Sequence, residues 1–480
     1  MSRGVLALDQ GSHASRACLF DESGALVAAA TVPVATRHPG AAQVEQDADE
    51  LVRSLQAAAA QALQQARGLE PLAAGLAVQR STIVCCSRRD GTALTPALSW
   101  QDRRNAAWLE TLAAHAGRVR ELTGLPLSPH YGASKIRWCL EHVPAVAHAA
   151  AASQLLAAPL ASYLALRLCG QDIAATGVYA ARVDAANAAR MLLFDPERLD
   201  WSEELLQLFA IRREWLPQYA PTRGAWGTLR LAGTALALTA VTGDQSAVPF
   251  AAGAPDSATV YVNLGTGAFI QRPLAARPHA PAPLLGSVLY GEPGGAVYSL
   301  EGTVNGAGSA VGWFCAAQQC AEPELWQALE ALPAHTALPV FLNGVGGLGS
   351  PWWRAEFEPR FIDEPPGAGT LLRFAALVES IAFMIAANAA LLVQQAGPPQ
   401  RVLLAGGMSR SPWLARRLAA LLELPVWPAD TEASARGVAR LAAPQLAESW
   451  VSTPLQAWEP QPDAALRARY RRFLDAIAGA

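Results

Sequence analysis

The sequence predicts an α/β protein made of two domains. The chain has 480 residues, and a chain of this length normally divides into more than one hydrophobic core. Residues 5–20 and 259–270 each read as an apolar strand, a glycine loop and a returning apolar strand. Gly11 stands in the first loop and Gly265 in the second, so each half of the chain carries one such hairpin.

Both halves follow the order strand, strand, strand, helix, strand, helix. In the first half we expect a helix from Asp47 to Ala66, because Asp47 and Asp49 stand where acidic residues stabilise a helix N-terminus. The Gly- and Thr-punctuated residues 222–239 are expected to lead out of the first domain. Other predicted elements of this half are strands over 73–77 and 83–87 and helical stretches over 104–122, 134–142 and 153–168.

The second half opens with strands again, and its long apolar stretches predict helices over 305–319, 371–395 and 412–422. Residues 273–293 are rich in Pro, Ala and Gly and predict an irregular excursion. The C-terminal tail has helical character over 464–477. We predict a first domain over 1–242, a second over 243–443 and a helical tail over 444–480.

The first glycine loop holds groups that a nucleotide phosphate and its Mg²⁺ need. Asp9 supplies a carboxylate, Gly11 allows close approach of the backbone, and Ser12 and Arg16 follow. An ordinary polar hairpin explains this segment equally well by itself. The second hairpin, and a third glycine turn at Gly406-Gly407 after an apolar strand, favour a nucleotide site.

Composition excludes several other classes of protein. The net charge is −3 and the basic residues form no run. The sequence therefore lacks the clustered positive charge that is typical of nucleic-acid binding. Lys135 is the single lysine, which leaves no P-loop lysine. The 7 cysteines include no Cys-x₂-Cys pair, and a strand begins after three residues, so we expect reduced thiols and a cytoplasmic protein without a signal peptide. The apolar stretches 145–168 and 371–395 contain polar residues and indicate core helices rather than membrane spans.

A set of short motifs resembles the FGGY carbohydrate kinase family, and within it the glycerol kinases. The resemblance implies two actin/hexokinase-like (ribonuclease H-like) domains around a nucleotide cleft. It also implies ATP- and Mg²⁺-dependent phosphorylation of a hydroxyl group of a small polyol or sugar, with a homodimer as one assembly. The matching segments occur in the family's order: Leu8-Asp9-Gln10-Gly11, Gln79-Arg80-Ser81-Thr82, Trp100-Gln101-Asp102-Arg103-Arg104, Gly243-Asp244-Gln245, Gly265-Thr266-Gly267-Ala268-Phe269, Glu301-Gly302, Gly347-Leu348-Gly349-Ser350-Pro351 and Gly406-Gly407.

The resemblance assigns roles to two carboxylates. Asp244 takes the position of the catalytic base, although an Asp after a Gly is by itself more typical of a helix N-cap. Asp9 takes the position that holds Mg²⁺. The positions implied for ATP are Gly11, Ser12, His13 and Arg16 in the first loop, Thr266 and Gly267 in the second, and Gly308, Gly312, Gly407 and Ser411 for the nucleoside. Helix packing would explain Gly308 and Gly312 equally well.

The positions implied for the acceptor depart from the glycerol kinase pattern at two places. The matching residues are Arg80, Trp100, Asp244, Gln245 and Phe269. Ser81 stands where glycerol kinases have Glu, and His130 where they have Tyr. The loss of a carboxylate removes a charge-assisted hydrogen-bond acceptor and opens space, so we expect an acceptor larger than glycerol. A weakened family member that acts as a nucleotide or sugar sensor, and an ATPase without a small substrate, are the alternatives.

Overall fold

The computed structural model describes residues 2–169, 181–231, 233–279, 282–333, 336–429, 432–450 and 456–479. Its strands are β1 (Ser2–Gln10), β2 (Ala14–Asp21), β3 (Leu26–Pro33), β4 (Glu45–Gln46), β5 (Leu69–Val78), β6 (Ile83–Ser87), β7 (Ala97–Leu98), β8 (Leu155–Pro159), β9 (Arg182–Val183), β10 (Phe194–Asp195), β11 (Asp200–Trp201), β12 (Gln218–Tyr219), β13 (Arg223–Leu231), β14 (Thr234–Gly243), β15 (Thr259–Leu264), β16 (Ala268–Leu274), β17 (Leu285–Glu292), β18 (Gly295–Val304), β19 (Val340–Leu342), β20 (Arg360–Ile362), β21 (Arg401–Ala405) and β22 (Val426–Pro428).

The helices of the described residues cover the faces of the sheets. They are α1 (Ala48–Gln65), α2 (Ala106–Glu110), α3 (Ala116–Thr123), α4 (Gly132–His142), α5 (Pro144–Ala151), α6 (Leu160–Cys169), α7 (Ala185–Ala189), α8 (Glu203–Leu208), α9 (Asp244–Ala247), α10 (Gly308–Gln318), α11 (Glu322–Glu330), α12 (Thr370–Ala396), α13 (Pro412–Leu422), α14 (Ala433–Ala442), α15 (Pro444–Ala447) and α16 (Ala464–Ala478).

Two six-stranded sheets repeat one topology. The first has the order β13-β14-β5-β1-β2-β3, and the second has the order β17-β18-β16-β15-β21-β22. In each sheet the first strand of the glycine hairpin has an antiparallel neighbour, β2 or β16, and a parallel neighbour, β5 or β21. The helix that leads to the parallel strand is α1 in one half and α12 in the other. The predicted α/β repeat is confirmed.

Local sequence explains the central elements of the first half. Leu6 and Leu8 of β1 are fully buried, as is typical of a strand that lies between a parallel partner and covering helices. The side chain of Asp47 accepts a hydrogen bond from the Glu50 amide and caps α1, as the sequence predicted. Leu51 and Leu55 of α1 then pack into the core.

Three sequence expectations are wrong in part because strand pairing overrides local composition. Within 153–168, residues Leu155–Pro159 form β8 in a small sheet beside β6, and α6 begins only at Leu160. Residues 222–239 do not lead away from the first sheet, since β13 and β14 form an antiparallel hairpin within it. Within 273–293, β17 is a buried strand of the second sheet despite its Pro- and Gly-rich flanks.

Helix α12 is the one described helix that is long and apolar enough to cross a membrane. Of its most apolar window, 83% is buried inside the protein. The buried side chain of Glu379 on this helix accepts hydrogen bonds from Arg417 and Arg469. α12 is therefore a core helix of the second half, as the sequence predicted.

Helix α14 returns to the first sheet from the C-terminal part of the chain. Val438 and Ala439 lie in one apolar cluster with Val5 and Ala7 of β1. A Cβ atom on Gly75 of β5 would lie 2.6 Å from the Val438 carbonyl oxygen, so the helix touches the strand backbone. The boundaries at 242 and 443 stay a prediction, and α16 packs Leu466 and Phe473 into the core of the second half.

Candidate active site

The first glycine hairpin places a carboxylate at the end of a buried strand. The amide of Gly11 donates a hydrogen bond to the Ala14 carbonyl oxygen at 3.0 Å and closes the loop. Asp9 lies just before it on β1. Burial and the negative charge of Asp244 together raise the pKa of Asp9 to about 7, and Arg16 opposes the shift. Asp9 and Asp244 are therefore close enough to interact electrostatically.

Asp244 stands where a strand of the first sheet passes into a helix. Strand β14 continues to Gly243, which is the N-cap of α9, so the N-cap interpretation of Asp244 is wrong. The side chain of Asp244 accepts a hydrogen bond from the Gln245 amide at 2.7 Å. A Cβ on Gly243 would lie 2.6 Å from Cγ of Arg80, so this glycine makes room for the arginine. Burial raises the pKa of Asp244, and Arg80 opposes the shift.

Two arginines of the first half meet one carboxylate of the second sheet. Arg80 donates to both Oε atoms of Glu301 on β18, at 2.8 and 3.2 Å, and Arg190 also donates to Glu301. Gln271 donates to the same carboxylate at 2.9 Å. Although burial acts to raise it, the charges of Arg190 and Arg80 hold the pKa of Glu301 well below its usual range. The cluster fixes the direction of the Arg80 side chain.

Aromatic rings and polar groups lie around Arg80, one of the residues predicted for the acceptor. The guanidinium group of Arg80 lies 5.9 Å from the ring centroid of Phe269. The ring of Trp100 lies 5.6 Å from that of His130. The indole N–H of Trp100 donates to Oγ of Ser12 at 2.8 Å, which joins this pocket to the first glycine loop.

Two predicted acceptor residues have unusual surroundings. Ser81 adopts a left-handed backbone conformation with φ +66°, and its buried hydroxyl has no hydrogen-bond partner among the described residues. Burial holds the pKa of His130 well below its usual range, and the cations Lys135, Arg190 and Arg80 lower it further. The imidazole of His130 is therefore neutral near pH 7, and it can donate one hydrogen bond and accept one.

The second glycine hairpin connects the two halves. The amide of Gly265 donates to the Gly267 carbonyl oxygen at 2.9 Å, as Gly11 does in its own loop. Asn263, two residues before Gly265, donates to Oε1 of Gln245 at 2.9 Å. Gln245 is thus held between Asp244 and the second sheet. Thr266 accepts a hydrogen bond from the amide of Ser309 at 2.9 Å.

The four glycine and serine positions predicted for the nucleoside differ in their surroundings. A Cβ on Gly308 would lie 2.8 Å from the Gly265 carbonyl oxygen, so Gly308 lets α10 pack against the second loop. Positions 312 and 407 are open, with no atom near a Cβ built on Gly312 or Gly407. Ser411 caps α13 by accepting from the Leu414 amide and donates to Glu330 at 2.7 Å. Their role toward a nucleoside stays a prediction.

The remaining residues of the first loop face outward. His13 is exposed, and Arg16, with its side chain about half exposed, forms an ion pair with Glu432 at 3.4 Å. Sequence reasoning assigned no role to Arg190 or Lys135, and it matched Glu301 only as part of a motif. Lys135 could have been noticed in the sequence because it is the one lysine of the chain.

The carboxylate of Asp9 fits a hard cation held jointly with a phosphate. The described residues contain no cluster of three or more His, Cys, Asp and Glu side chains that could hold a metal ion alone. Mg²⁺ in phosphate sites usually takes one or two carboxylates and completes its shell with phosphate oxygens and water. Asp9 could provide such a carboxylate, and a cation beside it would favour the charged form that burial and the charge of Asp244 disfavour.

The two sheets repeat one topology, and each contains a glycine hairpin beside the predicted site. Comparison with known proteins identifies the family. Residues 4–262 match the N-terminal domain of the FGGY family of carbohydrate kinases, and residues 260–446 match its C-terminal domain. The chain therefore belongs to the FGGY family of carbohydrate kinases, which makes it a phosphotransferase with an alcohol group as acceptor.

Similar proteins include glycerol kinases. The glycerol kinase of Thermus brockianus is 34% identical over 445 residues, with 91% of this chain and 88% of the relative covered. The glycerol kinase of Methylobacterium nodulans is 33% identical over 463 residues, with 92% and 89% covered.

Solved structures share the fold across different named substrates. The Plasmodium falciparum glycerol kinase with ADP superposes with a TM-score of 0.87 at 18% identity, covering 100% of this chain and 98% of that one. The xylulose kinase of Rhodospirillum rubrum superposes with a TM-score of 0.84 at 22% identity, covering 99% of both. At these identities the likeness concerns the fold alone.

Proposed function

We propose that the protein phosphorylates a hydroxyl group of a small polyol or sugar with ATP and Mg²⁺, and that the acceptor is larger than glycerol. One observation carries the proposal: Asp244 follows Gly243, which packs against the side chain of Arg80 in the aromatic pocket, and the charge of Asp244 acts on Asp9 at the end of β1. The solved glycerol kinase with ADP supports the choice of nucleotide. The presence of both carboxylates counts against a binding-only sensor.

Each carboxylate has a distinct task in this proposal. Asp244 accepts the proton of the acceptor hydroxyl while the hydroxyl oxygen attacks the terminal phosphorus of ATP. Burial raises the pKa of Asp244, which makes it a stronger base than an exposed aspartate. Asp9 would hold Mg²⁺, which neutralises charge on the phosphates when bound. The product is a phosphate monoester and ADP.

The nucleotide phosphates would be bound by the two glycine hairpins. Gly11 and Ser12 in the first, and Thr266 and Gly267 in the second, are at least partly exposed and have little side-chain bulk, so a phosphate could approach the loop backbone closely. Closure of the two halves around the nucleotide would exclude water, which otherwise competes with the acceptor hydroxyl. The cysteines, all of which lie among the described residues, form no disulfide bond, which supports a cytoplasmic location for this enzyme.

Ser81 and His130 determine our choice of acceptor. The hydroxyl of Ser81 is buried without a partner among the described residues, so an acceptor hydroxyl that reached it would satisfy it. Glycerol has one carbon fewer than the smallest acceptor we favour. A site built for a hydroxyl group rejects a substrate that leaves a buried polar atom unpaired.

An ADP-release assay over glycerol, tetritols, pentitols, ketopentoses and ketohexoses tests both parts of the proposal. We expect at least one acceptor of four or more carbons to exceed glycerol clearly in kcat/KM. Turnover with glycerol as the best acceptor would contradict the size argument and leave the kinase assignment intact. No turnover on any acceptor would contradict the kinase assignment.

Substitution of Ser81 then tests the residue itself. Ser81→Glu should shift the kcat/KM ratio toward glycerol by about 1–3 kcal/mol, since the new carboxylate can accept from a glycerol hydroxyl. The matched control is Ser81→Gln, which adds the same bulk without the charge. An equal shift in both variants would assign the change to size rather than to charge.

A further inference from the structure

The single lysine of the chain is buried beneath the acceptor pocket. Lys135 lies on α4 with no exposed surface. Its ammonium nitrogen donates to three backbone carbonyl oxygens, those of Ser99 at 2.7 Å, His130 at 2.8 Å and Ser81 at 3.1 Å. Among the described residues no carboxylate forms an ion pair with it. A buried charge persists only when its desolvation is offset, and here three backbone carbonyl oxygens are in hydrogen-bond contact with it.

The three carbonyl groups belong to three separate loops. Ser81 follows β5, Ser99 follows β7, and His130 precedes α4. Each loop carries one residue of the predicted acceptor site: Ser81 and His130 themselves, and Trp100 next to Ser99. One side chain therefore connects three of the elements that shape the pocket.

The bond to Ser81 acts on a strained residue. Ser81 has φ +66°, a conformation that a residue other than glycine adopts only when its surroundings enforce it. The Lys135 ammonium fixes the carbonyl of this residue, and so it fixes the direction in which the serine side chain leaves the backbone. Loss of that bond would allow the loop to relax away from its present shape.

Three acceptors call for three donors. An ammonium group has three N–H bonds, whereas a neutral amine has two and a lone pair that repels a carbonyl oxygen. Burial lowers the pKa of Lys135 to about 7, with Asp102 opposing the shift and Arg104 adding to it. The carbonyl cage stabilises the charged form against that burial.

We propose that Lys135 is a positioning residue for the acceptor pocket, whose ammonium holds the loops of Ser81, Trp100 and His130 at the spacing a polyol or sugar requires. The inference rests on the proposed function, because it takes these three residues as the acceptor site. Lys135 does not touch the reacting atoms. Its effect is on acceptor binding and selectivity, because its hydrogen bonds go to Ser81, Ser99 and His130 rather than to either glycine hairpin.

Variants of Lys135 separate positioning from general stability. Lys135→Met keeps the length and removes the donors, while Lys135→Gln keeps two N–H donors without the charge. Ser134→Ala is the matched control, since its buried hydroxyl on the same helix has no hydrogen-bond partner among the described residues. All are assayed with the best acceptor of the panel above, at saturating ATP and then at saturating acceptor, after circular dichroism shows them folded.

We expect Lys135→Met to raise the acceptor KM about tenfold or more, the scale of a lost oriented hydrogen bond, and to narrow the kcat/KM difference between acceptors. The KM for ATP should stay within about twofold, Lys135→Gln should recover part of the loss, and Ser134→Ala should resemble the wild type. A merely structural lysine would lower the folded fraction and leave the KM of the folded enzyme unchanged. A folded Lys135→Met with an unchanged acceptor KM overturns the inference.

The wild-type protein offers a second measurement, which decides the matter if the variants fail to fold. Because the chain has one lysine, protein labelled with [ε-¹³C]lysine gives a single side-chain NMR resonance. Saturation with the same acceptor should shift it, and ATP·Mg²⁺ alone should leave it in place. A chemical shift that stays the same when the acceptor is added overturns the inference. If the wild-type enzyme is inactive on the whole panel, both the proposed function and this inference are overturned. If the wild-type enzyme is active and its lysine resonance does not respond to the acceptor, only the inference about Lys135 is overturned.

Discussion

The two glycine hairpins share a backbone and differ in chemistry. In both, a glycine amide closes the loop onto a carbonyl oxygen, with Gly11 bonded to Ala14 and Gly265 bonded to Gly267. Two residues before the glycine stands Asp9 in the first hairpin and Asn263 in the second. The charge of Asp244 raises the pKa of Asp9, while the Asn263 amide donates a hydrogen bond to Gln245. The repeated fold therefore supplies one charged loop and one neutral loop.

The sheet register explains how each side chain is used. Asp9 lies opposite Arg16 on β2, whereas Asn263 lies opposite Phe269 on β16. A cation thus flanks the acid, and an aromatic ring of the acceptor pocket flanks the amide. A duplicated backbone position can serve two functions because its neighbours across the sheet have different side chains.

The largest expected effect comes from substitution of Asp244. Asp244→Asn should lower kcat by about 10²–10⁴-fold, the usual contribution of a positioned general base, with little change in the Kd for ATP. Steady-state kinetics and calorimetry measure the two quantities. Asp256→Asn, which removes a carboxylate that pairs with Arg401 at 2.8 Å, is the control. A turnover near that of the wild type would remove Asp244 from the mechanism.

The next prediction tests whether both hairpins hold the nucleotide. Gly11→Val and Gly265→Val should each weaken ATP·Mg²⁺ binding by about tenfold or more, because a side chain prevents close approach of the amides to phosphate. A Cβ at these positions would lie 3.4 Å and 3.7 Å from its nearest neighbour, so alanine variants should fold.

Calorimetry on the alanine and valine variants of both positions measures these affinities. Gly117→Ala, at a position with no atom near the added Cβ, is the control and should bind like the wild type. Weakened binding in only one hairpin would contradict a nucleotide held from both sides.

The smallest expected effect concerns stability. Burial and Asp244 raise the pKa of Asp9 to about 7. The folded protein therefore favours protonated Asp9. The stability that this contributes is fully present below the pKa of Asp9 in the unfolded chain, near 4, and is lost as the pH rises through 7. Asp9→Asn, which gives the first hairpin the amide of the second, should raise the free energy of unfolding at pH 8 by about 1–2 kcal/mol. At pH 4 the gain should vanish.

Urea unfolding at pH 4 and pH 8 measures this difference, since other titrating groups cancel between variant and wild type. The reciprocal variant Asn263→Asp should lose stability at pH 8, because it places a charge beside Gln245 and Phe269. An Asp9→Asn protein with no gain at pH 8 would mean that Asp9 carries no burial penalty.

Local sequence predicted the hairpins and the cap of α1 because the information lies within a few residues. It failed for β17 and for the hairpin of β13 and β14, where Pro and Gly suggested irregular chain and strand partners decided otherwise. The site shows the same limit. Arg80 and Glu301 are 221 positions apart in the sequence, and Arg190 and Glu301 are 111 apart. No pattern within a short stretch of sequence can therefore predict their ion pairs.

The return of α14 to the first sheet has a consequence for biosynthesis. The ribosome completes β1, β5 and β14 long before it reaches residues 433–442. Val5 and Ala7 therefore stay uncovered on one face of the sheet while most of the chain is still being made. Domains usually fold one after another as they emerge, but this N-terminal half must wait for almost the last helix. A nascent chain with that face open is a natural client for a chaperone.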